Sequence, residues 1–184
     1  MLDEVKTERQ VLAAKATGEI TARPRAQDLS ALYLDDVFRY VSAFISPETE
    51  AEDVAMEVFH AAFSSLNRLK KGMDARFWLL GIARNKVADS LRRKYRRREY
   101  GLKQNIQHTT SDVDQTIIVG TILRQIPPDH AHILVLKYVN GLSIEEIGTQ
   151  LGRSTAASNS LLQRARESFY AKGSPHFLRL EDQL

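Results

Sequence analysis

The sequence predicts an all-α protein: two small helical domains, an N-terminal helical bundle and a C-terminal helix-turn-helix domain, joined by a flexible linker. Three observations carry that expectation. Apolar residues recur at helical spacing through most of the 184 residues. No run of residues alternates convincingly in the manner of a half-buried strand. The helical periodicity lapses in mid-chain, from Gly101 to Asp114, where large apolar residues are few.

Taken in order, residues 1–28 form an N-terminal segment, with a Pro-containing stretch from Gly18 to Asp28 ahead of the first bundle helix. Residues 29–100 form the first domain. Its first helix carries Leu32, Val37, Phe38, Val41, Phe44 and Ile45. Its second has the clearest stripe in the chain: Ala51, Val54, Ala55, Val58, Phe59, Ala62, Phe63 and Leu66 step by three and four, and Pro47-Glu48 marks the start. A third helix runs from about Asp74 to Glu99, with Leu79, Ile82, Ala83, Val87 and Leu91 on its buried face. Residues 101–115 are the linker.

The second domain spans residues 116–172. Ile117, Ile118, Ile122 and Leu123 open it, and Pro127-Pro128 ends that helix and starts another bearing Ala131, Leu134, Val135 and Tyr138. Asn140-Gly141 is a left-handed stop signal. Ser143 and Glu146 have capping-box spacing, opening a short helix with Ile147 and Leu151 that stops at Gly152. Ser154 caps a final helix to about Tyr170, with Leu161, Leu162, Ala165 and Phe169 on one side. Two helices joined through Gly152-Arg153-Ser154 have the form of a helix-turn-helix. Residues 173–184 are a tail.

Composition excludes several classes. With no cysteine there is neither a disulfide framework nor a thiolate metal site. No apolar stretch is long enough to span a membrane, and Met1 to Gln10 lacks the apolar core of a secretory signal, so a cytoplasmic protein without membrane insertion is expected. The histidines (His60, His108, His130, His132, His176) have no ligand spacing, and there is neither a phosphate-binding glycine loop nor a nucleophile elbow. No enzyme, metal or cofactor is expected.

Net charge is only +3, but eight of the fifteen residues from Arg84 to Arg98 are basic, against a single acid, Asp89. That density exceeds what a helix C-terminus needs to complement its dipole, and points to a polyanion. On this helix Asn85, Asp89, Arg92 and Arg96 share one face, opposite Leu79, Ala83 and Val87. Trp78 lies near that face. Core is its commoner fate; beside a cationic track, an indole and an amide could instead receive an unstacked base. In the helix-turn-helix, Thr155, Ser158, Asn159, Gln163 and Arg164 are the candidates for the major groove, with Arg166 reaching phosphate. The polar side of the second bundle helix, Glu50, Asp53, Glu57 and His60, reads by itself as a solvated face.

Together these segments resemble the extracytoplasmic-function (ECF) subfamily of bacterial sigma factors, over about residues 29 to 172. The stretch EAEDVAMEVF (50–59) looks like their polymerase-docking segment. FWLLGIARN (77–85), followed by Asp89 and LRR (91–93), looks like their −10 segment. Ile126-Pro127, LKY (136–138), NGLS (140–143), EEI (145–147), Leu151-Gly152 and RAR (164–166) look like their −35-reading domain. The resemblance implies a factor that binds core RNA polymerase, directs it to promoters and helps melt the −10 element. It assigns Glu52, Asp53, Met56, Glu57 and His60 to the β′ clamp helices. Trp78, Arg84, Asn85, Lys86, Asp89, Arg92, Arg93 and Arg96 fall to the −10 element, and Arg153, Ser154, Thr155, Ser158, Asn159, Gln163, Arg164 and Arg166 to the −35 element. Partners implied are core polymerase (clamp helices and β flap), promoter DNA with nucleoid association when active, and an anti-sigma factor. The chain departs from the family pattern at Met56, where Gln is usual, and at Ser158, where an apolar residue is usual. Asn159 and Leu161 stand where basic residues are common. The alternative is a helix-turn-helix regulator that acts without docking on core polymerase; a sigma mimic that sequesters a regulator is a third reading.

Overall fold

The computed structural model describes residues 26–69, 73–99 and 112–181; the expectations for residues 1–25, for most of the linker and for the last three residues lie outside these. The described residues are helices and connections, with no strand among them. The first three helices are α1 (Ala26–Ser42), α2 (Glu48–Ser64) and α3 (Ala75–Glu99), with a short 3-10 turn (Leu66–Arg68) after α2. Each packs on the other two. The stripe expected on α2 is its buried face, from Ala51 to Ala62. Alanines recur where the helices meet (Ala51, Ala55, Ala62, Ala75, Ala83), and Tyr40, Val41, Leu79 and Leu80 fill the space between. Asp74 starts α3: its carboxylate accepts from the backbone N–H of Arg76 at 2.7 Å and of Phe77 at 3.3 Å.

The second group comprises α4 (Asp112–Gln125), α5 (Pro128–Leu134), α6 (Ile144–Leu151) and α7 (Thr155–Glu181). After Leu134 the helix widens to a π turn (Val135–Val139), which closes where the Asn140 N–H donates to the Val135 carbonyl and Gly141 turns to φ 71°. Ser143 and Glu146 form the expected capping box, donating and accepting reciprocally at 3.1 and 2.6 Å. α6 and α7 pass so closely that a Cβ on Gly148 would stand 2.9 Å from the Arg153 carbonyl oxygen; only glycine allows the approach. The sequence places the end of this helix at about Tyr170, with a tail from Gly173, yet the α7 backbone continues to Glu181. A helix already formed gains a bond per residue added, which outweighs a weak local stop.

The two groups do not stand apart. α1 and α3 meet α5 and the π turn, and one apolar core runs through both. At the junction the Tyr40 hydroxyl lies 2.8 Å from His132 Nδ1.

Candidate nucleic-acid and protein interfaces

On α2, Glu52, Asp53, Met56 and His60 are exposed, Met56 to 66 %. Helical spacing forces this: Val54, Ala55, Val58 and Phe59 take the core side, leaving these four outward. Glu57 is different. Its carboxylate lies 3.1 Å from Arg93 and 3.8 Å from Lys86 on α3. Two turns earlier, Glu50 pairs with Lys94 at 2.8 Å. The acidic edge of α2 is thus stitched to the basic run of α3, and part of the charge that suggested a polyanion is balanced inside the bundle.

Asn85, Arg92 and Arg96 are exposed on α3 and Asp89 is half-buried, while Leu79, Ala83 and Val87 are buried, as the helical wheel requires. Arg92 pairs with Asp89, and this hydrogen bond holds the Asp89 carboxyl below the usual range. Arg84 pairs with Asp129 at 2.5 Å. Arg96 and Arg97 are exposed and make no ion pair among the described residues. Trp78 packs against the core, its commoner fate. Tyr95, 66 % exposed, lines a shallow depression with Leu91, Arg92 and Arg96. Sequence reasoning passed over it; an aromatic inside a basic run was the available signal.

In the helix-turn-helix, Thr155, Asn159, Gln163 and Arg164 are exposed along α7. Ser154 caps it, its hydroxyl accepting from the Ala157 N–H at 3.2 Å, and Arg153 is exposed in the turn, 4.0 Å from Asp129. One expectation is corrected. Ser158 is completely buried, facing Gly148, and cannot reach a base. It lies three, four and seven residues before Leu161, Leu162 and Ala165, on the core stripe. Arg166 lies on the same exposed side of α7 as Thr155 and Asn159, and it also reaches back to Tyr138. Its Nε donates to the Tyr138 hydroxyl at 2.6 Å and its guanidinium lies 5.7 Å from that ring's centroid. Around this pair runs an apolar groove of about 340 Å³, lined by Val119, Leu123, Leu134, Tyr138, Phe169 and Tyr170 among others. Val119, Tyr138 and Tyr170 are exposed there, and the sequence reading had given this groove no residues.

Among the described residues no group of three or more His, Asp or Glu could hold a metal ion, and no helix is long and apolar enough to cross a membrane.

Residues 29–97 match sigma-70 region 2 and residues 117–169 match sigma-70 region 4, so the two helical groups correspond to the two matched regions in order. The chain belongs to the ECF sigma factors. Such a protein directs RNA polymerase to specific promoters. The chain is 29 % identical over 181 residues to the ECF RNA polymerase sigma factor SigC of Mycobacterium tuberculosis, covering 94 % of each. It is 29 % identical over 154 residues to the RNA polymerase sigma factor YlaC of Bacillus subtilis, covering 78 % of this chain and 89 % of that one. In fold it is similar to the sigma factor RpoE of Bartonella quintana, solved with the anti-sigma factor NepR (TM-score 0.60, 18 % identity, 79 % of this chain and 94 % of that one). CnrH, solved with the cytosolic domain of CnrY, is similar to the same degree (TM-score 0.60, 23 % identity, 88 % and 93 %).

Proposed function

We propose that this ECF sigma factor divides its work between two domains, residues 29–100 and 116–172. In the first, the exposed face of α2 docks on the polymerase clamp through Glu52, Asp53, Met56 and His60, while Glu57 braces it against α3. Asn85 receives an unpaired −10 base, and Arg92, Arg96 and Arg97 hold the phosphates behind it. An amide supplies donor and acceptor together, which offsets part of the cost of unpairing. In the second, Thr155, Asn159, Gln163 and Arg164 read the −35 element from the N-terminal half of α7. The groove at Tyr138 and Phe169 accepts an apolar helix, and the polymerase flap fits it; Arg166 belongs to that surface. An anti-sigma factor would act by covering one of these faces in the cytoplasm.

The observation that carries this reading is the coexistence of an exposed, largely polar face on α2, an amide and arginine face on α3 and a helix-turn-helix. A regulator that works without core polymerase needs only the last. The test is transcription by purified core polymerase on a genomic library, followed by permanganate footprinting of wild type and Asn85→Ala on the promoter found. Wild type should initiate. Asn85→Ala should bind core normally and open the duplex poorly, with the defect shrinking on a template already mismatched at −10. Equal opening by both proteins on the duplex removes Asn85 from the base pocket.

A further inference from the structure

The C-terminal end of α3 carries an aromatic side chain with no part in the functions assigned above. Tyr95 is 66 % exposed, and Leu91, one turn earlier on the same side of the helix, is half-buried beside it. With Arg92 and Arg96 they line one shallow depression. The ring and the leucine make its apolar notch, and the two guanidiniums border it. Arg92 pairs with Asp89, whereas Arg96 makes no ion pair among the described residues. Arg93 and Lys94 turn back to Glu57 and Glu50 on α2, which leaves Arg92, Tyr95, Arg96 and Arg97 exposed at this end of the helix. Arginine and lysine alone would supply phosphate contacts without sequence preference. An apolar notch set between two of them offers something that phosphates do not use.

We infer that Tyr95 and Leu91 read the 5-methyl group of a thymine in the duplex beside the melted element, while Arg92 and Arg96 hold the flanking phosphates. The inference rests on the assignment of Asn85 to an unpaired −10 base. Tyr95 follows Asn85 by ten residues, about 15 Å along the helix axis. At about 3.4 Å per base pair, that is a step of about four pairs. α3 leads on to the domain assigned to the −35 element, so Tyr95 lies on the −35 side of the unpaired base. Upstream of the melted element the bases are paired and stacked on one another, and a ring cannot slide between them without cost. The apolar group that a paired base shows in the major groove is the thymine methyl. The major groove is about 12 Å wide, room for one α-helix with its side chains. Because the tyrosine is neutral, it adds sequence preference without adding to the salt dependence that the arginines carry.

The test uses the holoenzyme on a promoter it transcribes. One set of duplex templates carries a T·A pair, in either orientation, at each position from about three to about six pairs on the −35 side of the unpaired base. A matched set carries deoxyuracil in place of that thymine, which removes the methyl group and nothing else. Binding is measured by competition at several salt concentrations for wild type, Tyr95→Ala, Tyr95→Phe and Arg96→Ala, with helix content checked by circular dichroism. Wild type should prefer thymine to uracil about fourfold at one position, the worth of one methyl group taken out of water. Tyr95→Phe keeps the ring and should keep the preference. Tyr95→Ala should abolish it by weakening binding to the thymine templates alone. Arg96→Ala should weaken both sets, reduce the salt slope by about one and leave the preference in place. No preference for thymine at any position in the wild type overturns the inference. So does Tyr95→Ala weakening both sets alike, or weakening the affinity for core polymerase, which would put the ring on a protein surface. Asn85→Ala is run on the same templates. If it opens the duplex normally while the thymine preference persists, the base-pocket assignment fails and the notch stands; a wild type that initiates nowhere overturns both.

Discussion

Ser158 shows what residue type and residue position each contribute. A serine in a reading helix suggests contact with DNA, but its register puts it on the stripe of Leu161, Leu162 and Ala165, and the packing follows the register. Its hydroxyl is buried with no hydrogen-bond partner. A buried hydroxyl without a partner costs about 1–3 kcal/mol. Ser158→Ala should therefore raise stability by about 1 kcal/mol, seen as a higher midpoint in urea denaturation, and leave promoter affinity unchanged. Lower stability would mean that the hydroxyl has a partner after all. The same lesson in reverse applies at Arg166, whose position three residues before Phe169 sets it beside the groove and within reach of Tyr138. No local pattern announces a partner 28 residues away.

Among the elements, α3 was the most legible and the most misjudged. Its length and buried face follow directly from the spacing of Leu79, Ala83 and Val87. The basic run, however, is partly spent on Glu50 and Glu57, which lie 44 and 36 residues earlier in the chain. Such exposed pairs contribute about 0–1 kcal/mol each, so they orient the helices more than they stabilise them. It follows that Asp53→Lys should weaken binding to core polymerase at least tenfold with little loss of stability, because Asp53 is exposed and bonds to nothing described on α3. Adding Glu57→Lys should deepen the binding defect and also lower stability by up to about 1 kcal/mol, since a lysine there faces Arg93 and Lys86. Surface-plasmon measurements with core polymerase, paired with denaturant titrations, separate the two effects; unchanged affinity in the double variant would remove α2 from the docking role. α6 depends on its cap in a simpler way. Ser143→Ala removes the hydroxyl that accepts from the Glu146 N–H and should cost about 1 kcal/mol. Hydrogen exchange should show the loss first in α6.

At the scale of the whole molecule, the junction links stability to pH. Burial pushes His132 down to about 3, with the Arg84 guanidinium adding to the effect and Asp129 opposing it; the Tyr40 hydroxyl facing it is itself pushed upward by burial. A histidine in the unfolded chain titrates near 6.5, so the unfolded chain takes up a proton that the folded form refuses. The contribution is complete above about pH 6.5 and is lost progressively as pH falls towards 3. At pH 5.5 the folded chain should have lost about 1.4 kcal/mol of stability relative to pH 7.5 or above. Urea titrations at both pH values, on wild type and on His132→Gln, isolate it: the variant should show the smaller acid loss, and equal losses would mean that His132 is not buried neutral. None of this could be read from the sequence, where His130 and His132 look like two unremarkable residues on a helix. The helices, their caps at Ser143 and Ser154 and their buried faces are legible in local spacing, because they depend on residues within a few turns of one another. Packing between distant segments settles which charges are already balanced and how α1 meets α5. Those outcomes depend on partners as much as 104 residues apart, which local spacing does not encode.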